Sequence, residues 1–153
     1  MKKSIKLNET EMVFKSSAAT NILYKKAFGE DILVKLTNYT KNLKDLKDMQ
    51  AKLSSLKDDA TKTTEEKVAI MNEITSSEAF AFTSKFSSET LPKLAYIMYL
   101  EANTKIEDIF GKLNEENYLI WLMTINQDEL LSVTREVMDL WQAGAKTHSS
   151  PKN

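Results

Sequence analysis

The sequence predicts a mostly α-helical protein with an N-terminal β-hairpin, an α+β fold of about five to seven helices. Three observations carry this. Apolar and polar residues alternate through residues 4–15; from Asp31 onward apolar residues recur at steps of mostly three and four; and residues 91–141 are crowded with large apolar side chains behind helix-start signals. With 153 residues, 42% of them hydrophobic and 28% charged, the chain has the size and composition of one soluble globular domain. Residues 1–145 are expected to form that domain, with a mobile loop near 57–67 and a polar C-terminal tail at 146–153.

In the hairpin, Ile5 and Leu7 share one face with Met12 and Phe14 across an Asn-containing turn. A two-stranded hairpin is marginal alone, so its apolar face must lie on helices. Ser16 or Ser17 offers an N-cap oxygen for a helix over 18–28, and Gly29 stops it, since glycine takes the left-handed conformation without a Cβ clash.

Asp31 restarts a helix in which Ile32, Leu36, Tyr39, Leu43, Leu46, Leu53 and Leu56 form a seam that Gln50 interrupts. Lysines and Asp48 occupy the other face, so the helix is amphipathic and pairs with another helix, of its own domain or of a partner. Residues 57–67 hold one small apolar residue, Ala60, and read as a loop. Thr63 or Thr64 caps the next helix through Met71 and Ile74, and serines then bracket a weaker segment with Phe80, Phe82 and Phe86.

Pro92 is tolerated in the first turn of the following helix, where backbone N–H groups lack partners anyway. That helix is apolar nearly all round to about Ala102, and so is expected to be the buried central element. A short helix over 106–113 ends at Asn114, which caps another over 115–125. Asn126 with Glu129 has the layout of a capping box heading a helix over 128–143, with Leu130, Val133, Val137 and Trp141 on one stripe and Gly144 closing it.

Little here points to chemistry. There is no cysteine, and the single histidine, His148, lies in the polar tail without partners for a zinc site or a nucleophile–base pair. Three isolated glycines make no phosphate-cradling loop. The chain is therefore expected to be no enzyme and to need no cofactor or metal. A formal net charge of -1 with Arg135 as the sole arginine argues against a nucleic-acid partner. No apolar run reaches the roughly 18 residues that span a bilayer, so no membrane role is expected.

Binding another protein remains. Flexible methionines such as Met12, Met49, Met71, Met98, Met123 and Met138 fill gaps in cores but also grip varied apolar partners. Trp121 and Trp141 pose the same choice between core and partner anchor. The candidate partner-binding residues are Leu43, Leu46 and Leu53 on the long helix, with Trp121, Val137 and Trp141. Trp141 and its stripe, and the long helix, are expected to be the more exposed.

The hairpin, then Tyr24-Lys25-Lys26-Ala27-Phe28-Gly29-Glu30-Asp31, a lysine-rich middle, Leu94-Ala95-Tyr96-Ile97-Met98 and a final helix ending on Leu140-Trp141 together resemble the tail assembly chaperones of long-tailed phages and prophages of Gram-positive bacteria. The likeness spans roughly the first 45 and last 65 residues. It implies a late protein of the bacterial host cytoplasm, absent from the mature virion. It also implies binding to the tape measure protein, which is kept soluble until tail tube subunits displace the chaperone, and self-association into a homo-oligomer. Family members are often also made in a longer form by ribosomal frameshifting, a possible further partner, and Lys152-Asn153 is compatible with the slippery heptamer A AAA AAC. The alternatives are a phage structural or connector protein retained in the virion, and a small helical regulatory protein.

Overall fold

The computed structural model describes residues 1–7, 10–57 and 63–149, with side chains at 1–7, 10–55 and 63–143. It is mostly α-helical with an N-terminal antiparallel hairpin, as the sequence predicts. The chain divides into two compact units, one built from Met1–Ile32 and the described part of Glu89–Asn153, the other from Leu33–Ser88.

In the first unit, strands β1 (Lys2–Leu7) and β2 (Thr10–Lys15) pair in the register Lys3↔Phe14, Ile5↔Met12 and Leu7↔Thr10. Ile5, Leu7 and Phe14 are buried on the shared face, the outcome a period-two pattern demands once helices cover one side. The cover comes from α5 (Leu91–Asn103), which packs on β2, and α8 (Gln127–Ser149), which packs on β1 and on α5. Leu94, Ala95, Ile97 and Met98 are fully buried, so α5 is the central element its all-round apolar sequence predicts.

Helix α1 (Thr20–Phe28) also packs on α5. It begins two residues later than expected, and no side chain caps it. The Ser17 hydroxyl is engaged elsewhere. The Ser16 N–H donates to the Met1 carbonyl (2.8 Å), while the Ser17 hydroxyl donates to Glu101 and accepts from the Ala19 N–H (3.1 Å). The Thr20 hydroxyl donates to the same carboxylate at 2.6 Å, tying the start of α1 to the end of α5. Gly29 closes α1 at φ 70°, as expected.

Short α6 (Ile106–Ile109) continues as a 3₁₀ turn to Lys112. The Asn114 side chain then accepts from the Asn117 N–H (2.8 Å) and caps α7 (Glu115–Leu122). This helix stops short of residue 125 because its last turn tightens: Thr124 and Ile125 N–H groups bond the carbonyls of Trp121 and Leu122, three residues back. Asn126 and Glu129 form the expected reciprocal box, at 3.1 and 2.8 Å. Helix α8 does not end at Gly144 but runs to Ser149. A glycine inside a helix weakens it by about 1 kcal/mol relative to alanine without breaking it. Residues 150–153 of the expected polar tail lie outside the described residues.

The second unit contains α2 beyond its first residue (Ile32–Lys57), α3 (Thr64–Thr75) and α4 (Glu78–Lys85). Leu46 and Leu53 of α2 cluster with Ile74 and Ala79, and Met49 and Ile70 pack alongside. The seam thus skips Gln50 through Met49 one position earlier. Thr63 caps α3 and Ser77 caps α4 through their hydroxyls, so residues 64–67 are helical where a loop was expected. Residues 58–62 of that loop lie outside the described residues. The aromatic segment resolves into α4 and a π-helical turn (Phe86–Thr90), with Phe86 stacked on Tyr39 at 4.2 Å. Among the described residues no helix is long and apolar enough to cross a membrane.

Candidate protein-binding surfaces

The residues expected to meet a partner are mostly interior. Val137 is fully buried and Trp141 only 5% exposed, which corrects the expectation that this stripe is open. The reason is spacing: Val133, Val137, Leu140 and Trp141 recur at helical intervals, and α8 turns that stripe onto the core. Leu46 and Leu53 are buried within their own unit, and Leu43 is half-buried. The long helix therefore meets its partner helices within the chain.

Trp121 is also buried, within a connected series of rings. Its ring lies 5.6 Å from Tyr96 and 5.5 Å from Tyr99; Tyr96 meets Tyr118 at 5.7 Å, and Tyr118 meets Phe28 at 5.4 Å. Such tilted and edge-on contacts bind α7 to α5 and α1. Among the described residues the Trp121 indole N–H has no hydrogen-bond acceptor, whereas that of Trp141 donates to Asn21 at 3.0 Å. Burial pushes the phenols of Tyr96 and Tyr118 up to about 12; that of Tyr24 rises as well, through burial and then its neighbour Glu30. All three are held neutral as packing elements.

With Tyr118 and Trp121 turned inward, the other face of α7 must point out. Leu119, Ile120 and Met123 lie there at helical spacing, all exposed, Met123 by 86%. Six consecutive large apolar residues, 118–123, cannot all face inward from a helix packed on one side. That was the available signal, and periodicity concealed it because both faces of α7 are apolar.

A second apolar surface joins α1 to α6. Ala19, Leu23, Ile106, Ile109 and Phe110 line a groove of about 290 Å³, with Lys15 and Glu101 among its walls. Ile106 is 82% exposed and Phe110 is open in the same groove; Ile22 on α1 is exposed as well. The Lys26 ammonium sits 5.9 Å from the centre of the Phe110 ring. In the other unit, Val68 and Met71 are exposed on α3.

A polar groove of about 250 Å³ runs between β1 and α8, lined by Lys3, Lys6, Ser132, Arg135 and Glu136, with Lys3 ion-paired to Glu136. Among the described residues no cluster of His, Cys, Asp or Glu could hold a metal ion. The side chain of His148 lies outside those described. Set against protein-family models, curated proteins and solved structures, the chain has no significant match.

Proposed function

We propose that this protein is a tail assembly chaperone of a long-tailed phage or prophage. It binds the tape measure protein, keeps that long, apolar, helical chain soluble, and is displaced as tail tube subunits polymerise. It works in the cytoplasm of the bacterial host, self-associates along its client, and is absent from the mature virion. A frameshifted longer form is a further partner. The function is binding and release, with no chemical step.

The observation that carries this reading is the outward face of α7. Leu119, Ile120 and Met123 form an apolar helical face whose own helix is anchored from behind by Tyr118 and Trp121. A rigidly seated apolar face suits the apolar stripe of a client helix, and a methionine at its C-terminal end adapts to successive, differing client segments. The likeness of residues 24–31, 94–98 and 140–141 to the family adds to it.

Co-expression with the tape measure protein of the same phage is the test. The account expects soluble tape measure protein that co-purifies with this chain. If the two neither co-purify nor alter each other's solubility, the reading fails.

A further inference from the structure

The geometry points to the outer edge of β1 as the seat of a third strand, an extended acidic segment of a partner protein laid between β1 and α8. The phase of the hairpin ladder fixes which groups that segment meets. Met1 and Ser16 exchange both backbone hydrogen bonds: the Met1 amine donates to the Ser16 carbonyl (2.7 Å), and the Ser16 N–H donates to the Met1 carbonyl (2.8 Å). Bonded and non-bonded pairs alternate along an antiparallel ladder. Lys3↔Phe14 and Ile5↔Met12 are therefore bonded inward, while Ser4 and Lys6 direct their N–H and C=O groups away from β2.

The other edge agrees with that phase and shows the contrast. Val13, opposite Ser4, turns its carbonyl outward from β2, and the Asn103 side chain of α5 donates to it at 2.9 Å. Among the described residues nothing bonds the outward groups of Ser4 and Lys6. The polar groove of about 250 Å³ lies along this open edge. Lys3, Ser4, Ile5 and Lys6 all line it, and side chains that alternate between faces share one groove only at the side of a strand. Ser132, Arg135 and Glu136 of α8 form the far wall. A row of unmet backbone groups beside a polar wall is a template for strand addition.

Charge selects the occupant. On the face away from the helices, an added strand has Lys2, Ser4 and Lys6 as its direct neighbours, and cross-strand pairs of opposite charge are favoured. One strand further on, Glu11 stands opposite Lys6 without an ion pair and Lys15 stands opposite Lys2. Within the groove Lys3 neutralises Glu136, leaving Arg135. Asp128 and Asp139, one turn before Ser132 and one turn after Arg135, are outside the lining. A second copy of β1 is disfavoured, since pairing antiparallel about Ser4 sets Lys2 against Lys6. The fitting segment alternates, with carboxylates opposite Lys2 and Lys6 and an apolar side chain opposite Ile5. This site is separate from the outward face of α7 and stands apart from the client reading.

The test uses the purified full chain and a synthetic peptide, Glu-Val-Thr-Val-Glu with blocked ends. Titration at millimolar peptide, followed by NMR, is expected to shift the Ser4 and Lys6 amides, slow their hydrogen exchange and weaken with salt. The same peptide with Lys for Glu, or N-methylated on the amides that face β1, is expected to bind at least about fivefold more weakly. Ser4→Pro removes an outward donor at an edge that tolerates proline, so it is expected to keep the fold and lose the peptide. Lys6→Glu should reverse the preference toward the lysine peptide, and it serves should S4P misfold. Unmoved Ser4 and Lys6 amides, equal binding of the N-methylated peptide, unaltered binding in the variants, or shifts confined to α7 would each overturn strand addition at β1.

Discussion

Trp141 of α8 donates its indole N–H to the side-chain oxygen of Asn21 on α1, 3.0 Å away. The bond spans 120 residues of sequence and joins two helices that both pack on α5. It makes Trp141 a structural tie, because an aromatic that is buried and hydrogen-bonded within its own chain offers little to a partner. Asn21→Ala strands a buried donor and is expected to lower stability by about 1–3 kcal/mol. Urea unfolding followed by tryptophan fluorescence measures this, and an unchanged midpoint would remove the tie from the account.

The two tryptophans should respond differently to the same substitution. Trp141→Phe deletes a satisfied hydrogen bond along with ring volume, whereas Trp121→Phe deletes a buried N–H that has no acceptor. An unmet buried donor already carries a desolvation cost of about 1–3 kcal/mol, so its removal offsets part of the packing lost. W121F is therefore expected to be the milder variant in parallel denaturant curves. Equal or reversed losses would mean that Trp121 has a partner.

Alkaline pH should loosen the first unit once it climbs past the range in which ordinary tyrosines ionise. Tyr96 and Tyr118 are raised from 10.0 to about 12 by burial, so the fold favours their neutral forms. A raised folded value means that the contribution is fully present below about pH 10 and is lost as pH climbs through about 12. Stability measured across that window is expected to fall, and Tyr118→Phe should flatten the slope. Spectrophotometric titration of both phenols at the ordinary pH would contradict their burial.

Helix ends give a cleaner check because each involves one local term. At Gly29 the backbone holds φ 70°, and an added Cβ would meet no atom within 4 Å, so Gly29→Ala isolates backbone strain of roughly 1–2 kcal/mol. Asn126→Ala breaks the box with Glu129 and should cost about 1 kcal/mol. Thermal melts of both variants test this, and a shift below that of an exposed surface control would show that these ends do not limit stability.

Local chemistry made most of the fold legible before any coordinates. Period two in residues 4–15, the Gly29 stop, the Asn114 and Asn126 caps and the all-apolar α5 each reflect a short-range rule, and each is present. What misled was reading exposure from residue type. Trp141 looked like an anchor because it stands near a helix end, but burial is set by which stripe faces α5, a tertiary fact. Leu119 and Ile120 are hidden for the converse reason, since a helix apolar on both sides gives no phase. The α1 start shifted because Ser17 bonds Glu101, 84 residues away, which no local pattern announces.

The central claim is that an exposed α7 face holds an apolar helical client while the buried tryptophan stripe serves the fold. Binding of purified chain to tape measure segments, wild type against the double variant Leu119→Lys/Met123→Lys, tests it most directly. The account predicts a well-folded variant whose affinity drops by about thirtyfold or more, the loss expected for two anchors removed at about 1 kcal/mol or more each. Unchanged affinity in a folded variant would contradict it and move the client site elsewhere on the molecule.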